Sequence, residues 1–195
     1  LPALGRTVLI IGTGPIGRTT ARLLRAVGFE VRGAGRTARA EDPDFGTVIA
    51  SASLADHVGW ADHVVAVAPL TEQTRHLLDA AVFAAMKPTA QLINVGRGPL
   101  VDEAALLAAL REGRLAAAAL DVFRAEPLPE DHPLWSAPGV VVTPHLSGDV
   151  VGWREALARQ FLDNAERWLA GRPLRNVVDK TRGYVVDGSP ELITR

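Results

Sequence analysis

Thr7-Val8-Leu9-Ile10-Ile11-Gly12-Thr13-Gly14-Pro15-Ile16-Gly17 is the stretch on which the reading of this 195-residue chain turns. Its opening run of Val, Leu and Ile is apolar on both faces, as a strand buried inside a parallel sheet should be. A Gly-x-Gly-x-x-Gly follows at once, and a helical pattern runs on to Ala26. Gly12 permits the tight turn after the strand. Gly14 lets the backbone approach a pyrophosphate, and Gly17 allows the helix to pack closely on the strand. Pro15 suits the first helical position, where a missing N–H costs nothing and φ is already set. The helix N-terminus then offers unpaired N–H groups and a partial positive charge to the phosphates. A glycine-rich turn alone can be a packing turn; a strand before it and a helix after it are the context that indicates dinucleotide binding.

Outward from this motif the alternation continues. Gly28 stops the helix, and a strand at 29–34 completes a β-α-β unit of about 30 residues. Further strands are expected at 48–50, 63–68, 91–95, 116–120 and 140–143, with helices at 54–58, 79–86 and 102–112. That order predicts an α/β fold, a doubly wound, mostly parallel Rossmann-type sheet with helices on both faces. Residues 124–138 are rich in Pro and acidic side chains and read as an ordered loop. A long helix is expected at 151–170, with Gly171 as its cap and Pro173 as its stop. Residues 1–175 are thus read as the dinucleotide-binding domain and 176–195 as an extended C-terminal tail.

Composition narrows the function classes. With 48% hydrophobic and 22% charged residues the chain is ordinary for a globular protein. A net charge of −1 gives no sign of nucleic-acid or anionic-membrane binding, which need a basic excess. The absence of cysteine excludes disulfides, thiolate nucleophiles and Cys-based metal sites. No apolar run approaches the ~20 residues that span a bilayer, and the N-terminus lacks the layout of a signal peptide. The expected compartment is the cytoplasm. The chain does not begin with Met, and a piece of a longer protein is expected.

Cofactor choice depends on the end of the second strand. An NAD site usually places an acid there to hold the adenosine ribose hydroxyls. Here Gly35 stands where that acid is expected, followed by Arg36, Thr37 and Arg39. Two guanidiniums and a hydroxyl suit a 2′-phosphate, so NADP is expected over NAD, with NAD possible. The competing reading of these arginines is as solvated loop charges.

Later strand ends carry the chemistry, because ligands of open α/β sheets bind there. Asn94-Val95-Gly96-Arg97-Gly98 follows one strand, Asp121-Val122-Phe123 with Glu126-Pro127 the next, and Thr143-Pro144-His145 the last. Reduction of a keto acid needs a fixed cation for the carboxylate, and an Arg fork supplies one. It needs a proton donor, and His titrates in the right range. A carboxylate beside the His keeps it protonated and oriented. Arg97, His145 and Glu126 fit these roles. Asp121, five residues before Glu126, suits the cofactor instead.

With those motifs, together with Pro69-Leu70-Thr71 and Thr74 and Met86-Lys87-Pro88, the chain resembles the nucleotide-binding domain of the D-isomer-specific 2-hydroxyacid dehydrogenases, from about Leu4 to Val178. The resemblance implies Arg97, Glu126 and His145 as catalytic residues and Asp121 at the nicotinamide end. It implies that Pro15, Ile16, Pro69, Thr74, Val95, Gly96, Ser147 and Gly148 line the cofactor, alongside the glycine loop. It further implies a small 2-keto or 2-hydroxy acid as substrate and a homodimer. The missing acid and the Arg after the second strand point to the glyoxylate/hydroxypyruvate reductase branch. Asp149-Val150-Val151-Gly152-Trp153 departs from the Thr and Glu often seen there, and the family's N-terminal substrate domain is absent from this chain.

Each residue also has a plainer reading. Arg97 could cap the helix that opens at Asp102, and Glu126 alone would be a solvated loop acid. His145 alone would be unremarkable without Pro144 and the strand before it. His57, His63, His76 and His132 read as structural or exposed, and Trp135 as packed on a cleft rim, a core or an interface. A dinucleotide-sensing protein of the corepressor type is the alternative from another class. A formate dehydrogenase ranks below both, since Gln is expected there in place of Glu126.

Overall fold

The computed structural model describes residues 3–180 and 183–185. It divides into two units, one ending at His145 and one beginning at Leu146. The expected dinucleotide-binding domain, residues 1–175, spans the first unit and part of the second.

In the first unit, β1 (Thr7–Ile11) is buried along its whole length. After it come α1 (Pro15–Ala26), β2 (Glu30–Gly35), β3 (Arg39–Asp42), β4 (Gly46–Ala50), α2 (Leu54–His57) and β5 (His63–Ala66). Then follow α3 (Ala80–Ala85), β6 (Gln91–Asn94), α4 (Glu103–Arg111), β7 (Ala117–Leu120) and β8 (Val140–Val142). The strands form one sheet in the order β3-β4-β2-β1-β5-β6-β7-β8. All neighbours are parallel except β3, which runs antiparallel to β4 at the edge. The chain builds outward from β1 in one direction, then returns to lay β5 on its other side. That reversal is the switch point where open α/β sheets bind ligands.

Period-two alternation in β1 explains the layers. Val8 and Ile10 pack with Ala21 of α1, Val31, Phe45 and Val48 on one face. Leu9 and Ile11 pack on the other with Leu54, Val82, Phe83, Leu92 and Leu106, from α2, α3, β6 and α4. Each such side chain stabilises by about 1.5–3 kcal/mol when fully buried. Asp79 caps α3 by accepting from the Val82 N–H, and Asp102 caps α4 by accepting from Ala104 and Ala105. The expected fold is therefore observed, with one element added. Arg39-Ala40-Glu41-Asp42 carries no apolar alternation and was not anticipated as a strand.

The second unit holds α5 (Trp153–Leu169), which starts after Gly152 at φ +84° rather than at residue 151. Asn164 exchanges two hydrogen bonds with the backbone of Arg175, and Arg167 pairs with Asp163. The stretch expected to be extended turns back on itself, β9 (Val178–Asp179) pairing antiparallel with β10 (Tyr184–Val185). Residues 186–195 of that tail lie outside the described residues. Among the described residues, no helix is long and apolar enough to cross a membrane.

Candidate active site

Because seven of the sheet's strands run in parallel, their C-terminal ends share one edge, and the predicted site residues of the first unit lie on that edge. Gly12, at φ +113°, lies so close to the segment after β5 that a β-carbon would come within 2.7 Å of the Ala68 nitrogen. A β-carbon on Gly17 would lie 1.9 Å from the Gly12 carbonyl oxygen. Gly14 differs: a β-carbon there would meet nothing within 4 Å, and no side chain caps the start of α1. The turn is thus closed toward the protein and open above Gly14, beside exposed Pro15 and Ile16. That cradle, at a helix N-terminus with uncapped N–H groups, fits a dinucleotide pyrophosphate.

At the end of β2 the expected acid has no room without adjustment. A β-carbon on Gly35 would lie 3.0 Å from Thr13 Oγ1 of the glycine loop. Arg36 and Thr37 are exposed on the following turn. Arg39 is placed differently: its Nε and Nη2 donate to Asp42 Oδ2 at 3.3 and 3.1 Å, and its Nη1 donates to the Thr37 carbonyl at 3.5 Å.

The loops after β5 and β6 are built by internal hydrogen bonds. Thr74 Oγ1 donates to the Pro69 carbonyl and accepts from the Thr71 N–H, both at 2.7 Å. The Thr74 hydroxyl therefore fixes the shape of the loop that follows β5. Buried Asn94 accepts from the Gly96 N–H and donates to the Arg97 carbonyl, both at 3.1 Å, which sets the path of Val95 and Gly96. Arg97 is exposed, and its Nη1 donates to the Gly96 carbonyl at 2.7 Å. It does not cap α4, since Asp102 does so itself.

The loops after β7 and β8 converge. Asp121 is buried and accepts from Thr143 Oγ1 at 2.5 Å. Glu126 Oε1 accepts from the Phe123 N–H at 2.8 Å, while its Oε2 lies 2.7 Å from His145 Nδ1. Burial pushes the Glu126 carboxyl up. The His145 and Phe123 hydrogen bonds, with the positive charges of His145 and Arg97, outweigh it and hold the carboxyl below its ordinary value. His145 has φ +54°, a left-handed conformation that costs a residue with a β-carbon roughly 1–2 kcal/mol, and such outliers cluster at functional sites. His145 and Arg97 thus both act electrostatically on the Glu126 carboxylate. Ser147 and Gly148 belong to the second unit, in an exposed turn closed by a bond from the Asp149 N–H to the Leu146 carbonyl.

Four residues that hold this edge together escaped the sequence reading: Asp42, Asn94 as a loop former, Glu103 and Thr143. Glu103 Oε1 accepts from the Arg124 N–H at 2.7 Å, and its Oε2 lies 3.6 Å from His132 Nε2. It thereby ties the loop that carries Glu126 to α4. Only the acid's place in the first turn of a helix hinted at this, and that position is explained equally well by the helix dipole. Among the other histidines, His132 accepts from the Leu134 N–H and His63 meets the Phe29 ring edge-on, both structural as expected. Trp135 is exposed and donates to the Pro129 carbonyl.

Residues 2–147 match the family described as D-isomer specific 2-hydroxyacid dehydrogenase, NAD binding domain. The chain belongs to that family. Among relatives, it is 50% identical over 119 residues to glyoxylate/hydroxypyruvate reductase B of Citrobacter koseri, covering 61% of this chain and 37% of that one. It is 39% identical over 168 residues to (S)-sulfolactate dehydrogenase of Chromohalobacter salexigens, 86% of this chain and 54% of that one. A D-isomer specific 2-hydroxyacid dehydrogenase from Xanthobacter autotrophicus, solved in complex with NADPH and MES, superposes with a TM-score of 0.83 at 41% identity. The match covers 94% of this chain and 75% of that one. The chain spans about half the length of the curated relatives it matches.

Proposed function

We propose that the full-length protein is an NADP-preferring oxidoreductase that reduces small 2-keto acids, glyoxylate and hydroxypyruvate foremost, to D-2-hydroxy acids. The observation that carries this reading is the 2.7 Å pairing of His145 with Glu126, beside Arg97, on the ligand-binding edge of a dinucleotide fold. The glycine loop and α1 would hold the pyrophosphate, and Arg36 and Thr37 would meet a 2′-phosphate. A bound reduced nicotinamide supplies the hydride that the keto carbon gains.

The residues of this chain supply the rest. Arg97 binds the substrate carboxylate through its guanidinium fork and polarises the neighbouring carbonyl. His145 donates a proton to the carbonyl oxygen as it becomes an alcohol. Glu126 holds the imidazole in orientation through Nδ1, leaving Nε2 to face the substrate, and offsets the positive charge of the protonated ring. The NADPH-bound relative and the glyoxylate/hydroxypyruvate reductases among the relatives support both the cofactor and the substrate class. We place the protein in the cytoplasm, as a homodimer.

The test is turnover by the full-length protein with glyoxylate, hydroxypyruvate, pyruvate and bulkier 2-keto acids, with NADPH and NADH in parallel. Oxidation of NADPH faster than NADH on a short acid is expected. Cofactor binding without turnover on any acid would overturn the reading in favour of a dinucleotide sensor.

A further inference from the structure

We propose that Asp42 is a positioning residue for cofactor discrimination: its buried carboxylate clasps Arg18 of α1 and Arg39 of β3 together, and through Arg39 it holds the 36–38 turn in shape to receive a ribose phosphate. The inference rests on the NADP reading above.

The geometry is that of a buckle. Arg18 grips Asp42 with two prongs, Nη1 to Oδ1 at 3.0 Å and Nη2 to Oδ2 at 3.1 Å, and reaches Asp44 with Nη1 at 2.7 Å. Arg39 grips the same Oδ2 from the other side and reaches the Thr37 carbonyl. The backbone N–H groups of Asp44 and Phe45 donate to Oδ1 and fix the carboxylate itself. The Asp42 side chain is only 3% exposed, and burial pushes its carboxyl up. The hydrogen bonds from Arg18, the Asp44 N–H and Arg39 outweigh burial and hold it at about 2, so the clasp is charged at every working pH.

Two separate pieces of the cofactor edge meet in this clasp. Arg18 lies in the first turn of α1, its N–H bonded to the Gly14 carbonyl, so it moves with the pyrophosphate loop. Arg39 lies just beyond Arg36 and Thr37 and moves with the turn after β2. One buried charge bridging two cations sets the spacing between both phosphate-binding pieces. Arg39 accordingly acts behind the turn, with Arg36 and Thr37 as the groups that face the cofactor.

Simple electrostatics predicts the opposite effect of removing Asp42. Deleting a negative charge beside a phosphate site should strengthen binding of the more highly charged cofactor, whereas deleting a buckle should weaken it. The experiment is equilibrium titration of the full-length protein with NADPH and with NADH, comparing wild type, Asp42→Asn, Arg39→Ala, their double mutant and Arg36→Ala. For Asp42→Asn, the NADPH dissociation constant should rise about tenfold, the scale of one charged hydrogen bond, and NADH binding should barely change. The double mutant should bind NADPH no worse than the weaker single mutant, because Arg39 acts through Asp42.

Unchanged or tighter NADPH binding in Asp42→Asn would overturn the proposal. So would an equal loss for both cofactors, which marks a merely structural role, or additive losses in the double mutant. If Asp42→Asn does not fold, Arg39→Lys keeps the charge but loses the two-pronged grip; a retained NADPH/NADH ratio there overturns the proposal. A wild type without NADPH preference, or an Arg36→Ala variant with an unaltered ratio, overturns the NADP reading and this inference together. A selective loss in Arg36→Ala with none in Asp42→Asn overturns the inference alone.

Discussion

Oε2 of Glu126 lies 2.7 Å from Nδ1 of His145, although the two residues are 19 apart in sequence and leave different strands. The short contact joins the loop after β7 to the end of β8 and engages one of the two ring nitrogens of His145. Its consequences are measurable in the full-length protein.

On the proposed role of His145 as proton donor, His145→Ala should lower kcat by about 10²–10⁴-fold with little change in cofactor affinity. Glu126→Gln keeps the shape but removes the charge, and it should lower kcat more than it raises KM. The Glu126 carboxyl is held below its ordinary value of 4.5, so rate that depends on its charge persists as pH falls through 4.5 and is lost only below it. A pH–kcat profile with an acid limb assigned to Glu126 above 4.5 would contradict this account.

Gly98 joins the Arg97 loop to the Glu126 loop. A β-carbon there would lie 1.9 Å from the Phe123 carbonyl carbon and 2.5 Å from the Arg124 nitrogen, all backbone atoms that cannot rotate aside. Gly98→Ala should destabilise the fold by about 1–3 kcal/mol by overpacking and should lower kcat by parting the two loops. Thermal melting and steady-state kinetics check both, and an unchanged kcat would show that the two loops act independently.

Restoring an acid at the end of β2 should not by itself create an NADH enzyme. Gly35→Asp places its β-carbon against Thr13 at 3.0 Å, and the new charge repels a 2′-phosphate. NADPH affinity should fall without a matching gain in NADH affinity. Adding Thr13→Ala, which removes both contacting atoms, should recover NADH binding. Tight NADH binding by the single mutant would show that the glycine loop yields easily.

Acid stability should depend on Asp62. Burial pushes its carboxyl up, but hydrogen bonds from the Thr7 N–H, Lys87 Nζ and the Thr7 hydroxyl outweigh it and hold it at about 2, below the ordinary 3.8. A depressed folded-state value stabilises above the unfolded value, so this contribution is present above pH 3.8 and is lost as pH falls toward 2. Its size is about 2 kcal/mol. Asp62→Asn should flatten the fall in melting temperature between pH 4 and pH 2; an unaltered slope would place the acid sensitivity elsewhere.

Much of this was legible in the sequence because the signals are local. The apolar run at 7–11, the glycines after it and the strand-helix alternation are properties of neighbouring residues, so they identified the sheet and the edge at which open α/β sheets bind ligands. Strand ends likewise singled out Arg97, Glu126 and His145, since a parallel sheet brings every such end to one side. The strand Arg39–Asp42 was missed because it has no apolar face, and it forms through its pairing with β4.

The sequence by itself determined the periodicity, the turns and the types of residue offered at each strand end. Tertiary structure alone decided how the polar groups are shared among them. It gave Arg39 to Asp42 and Thr37, Thr143 to Asp121, and the Arg124 N–H to Glu103. Such pairings join residues up to 22 positions apart, and each forms because a polar group leaving water must find a partner of the right geometry nearby. What lies nearby is settled only once the chain has folded.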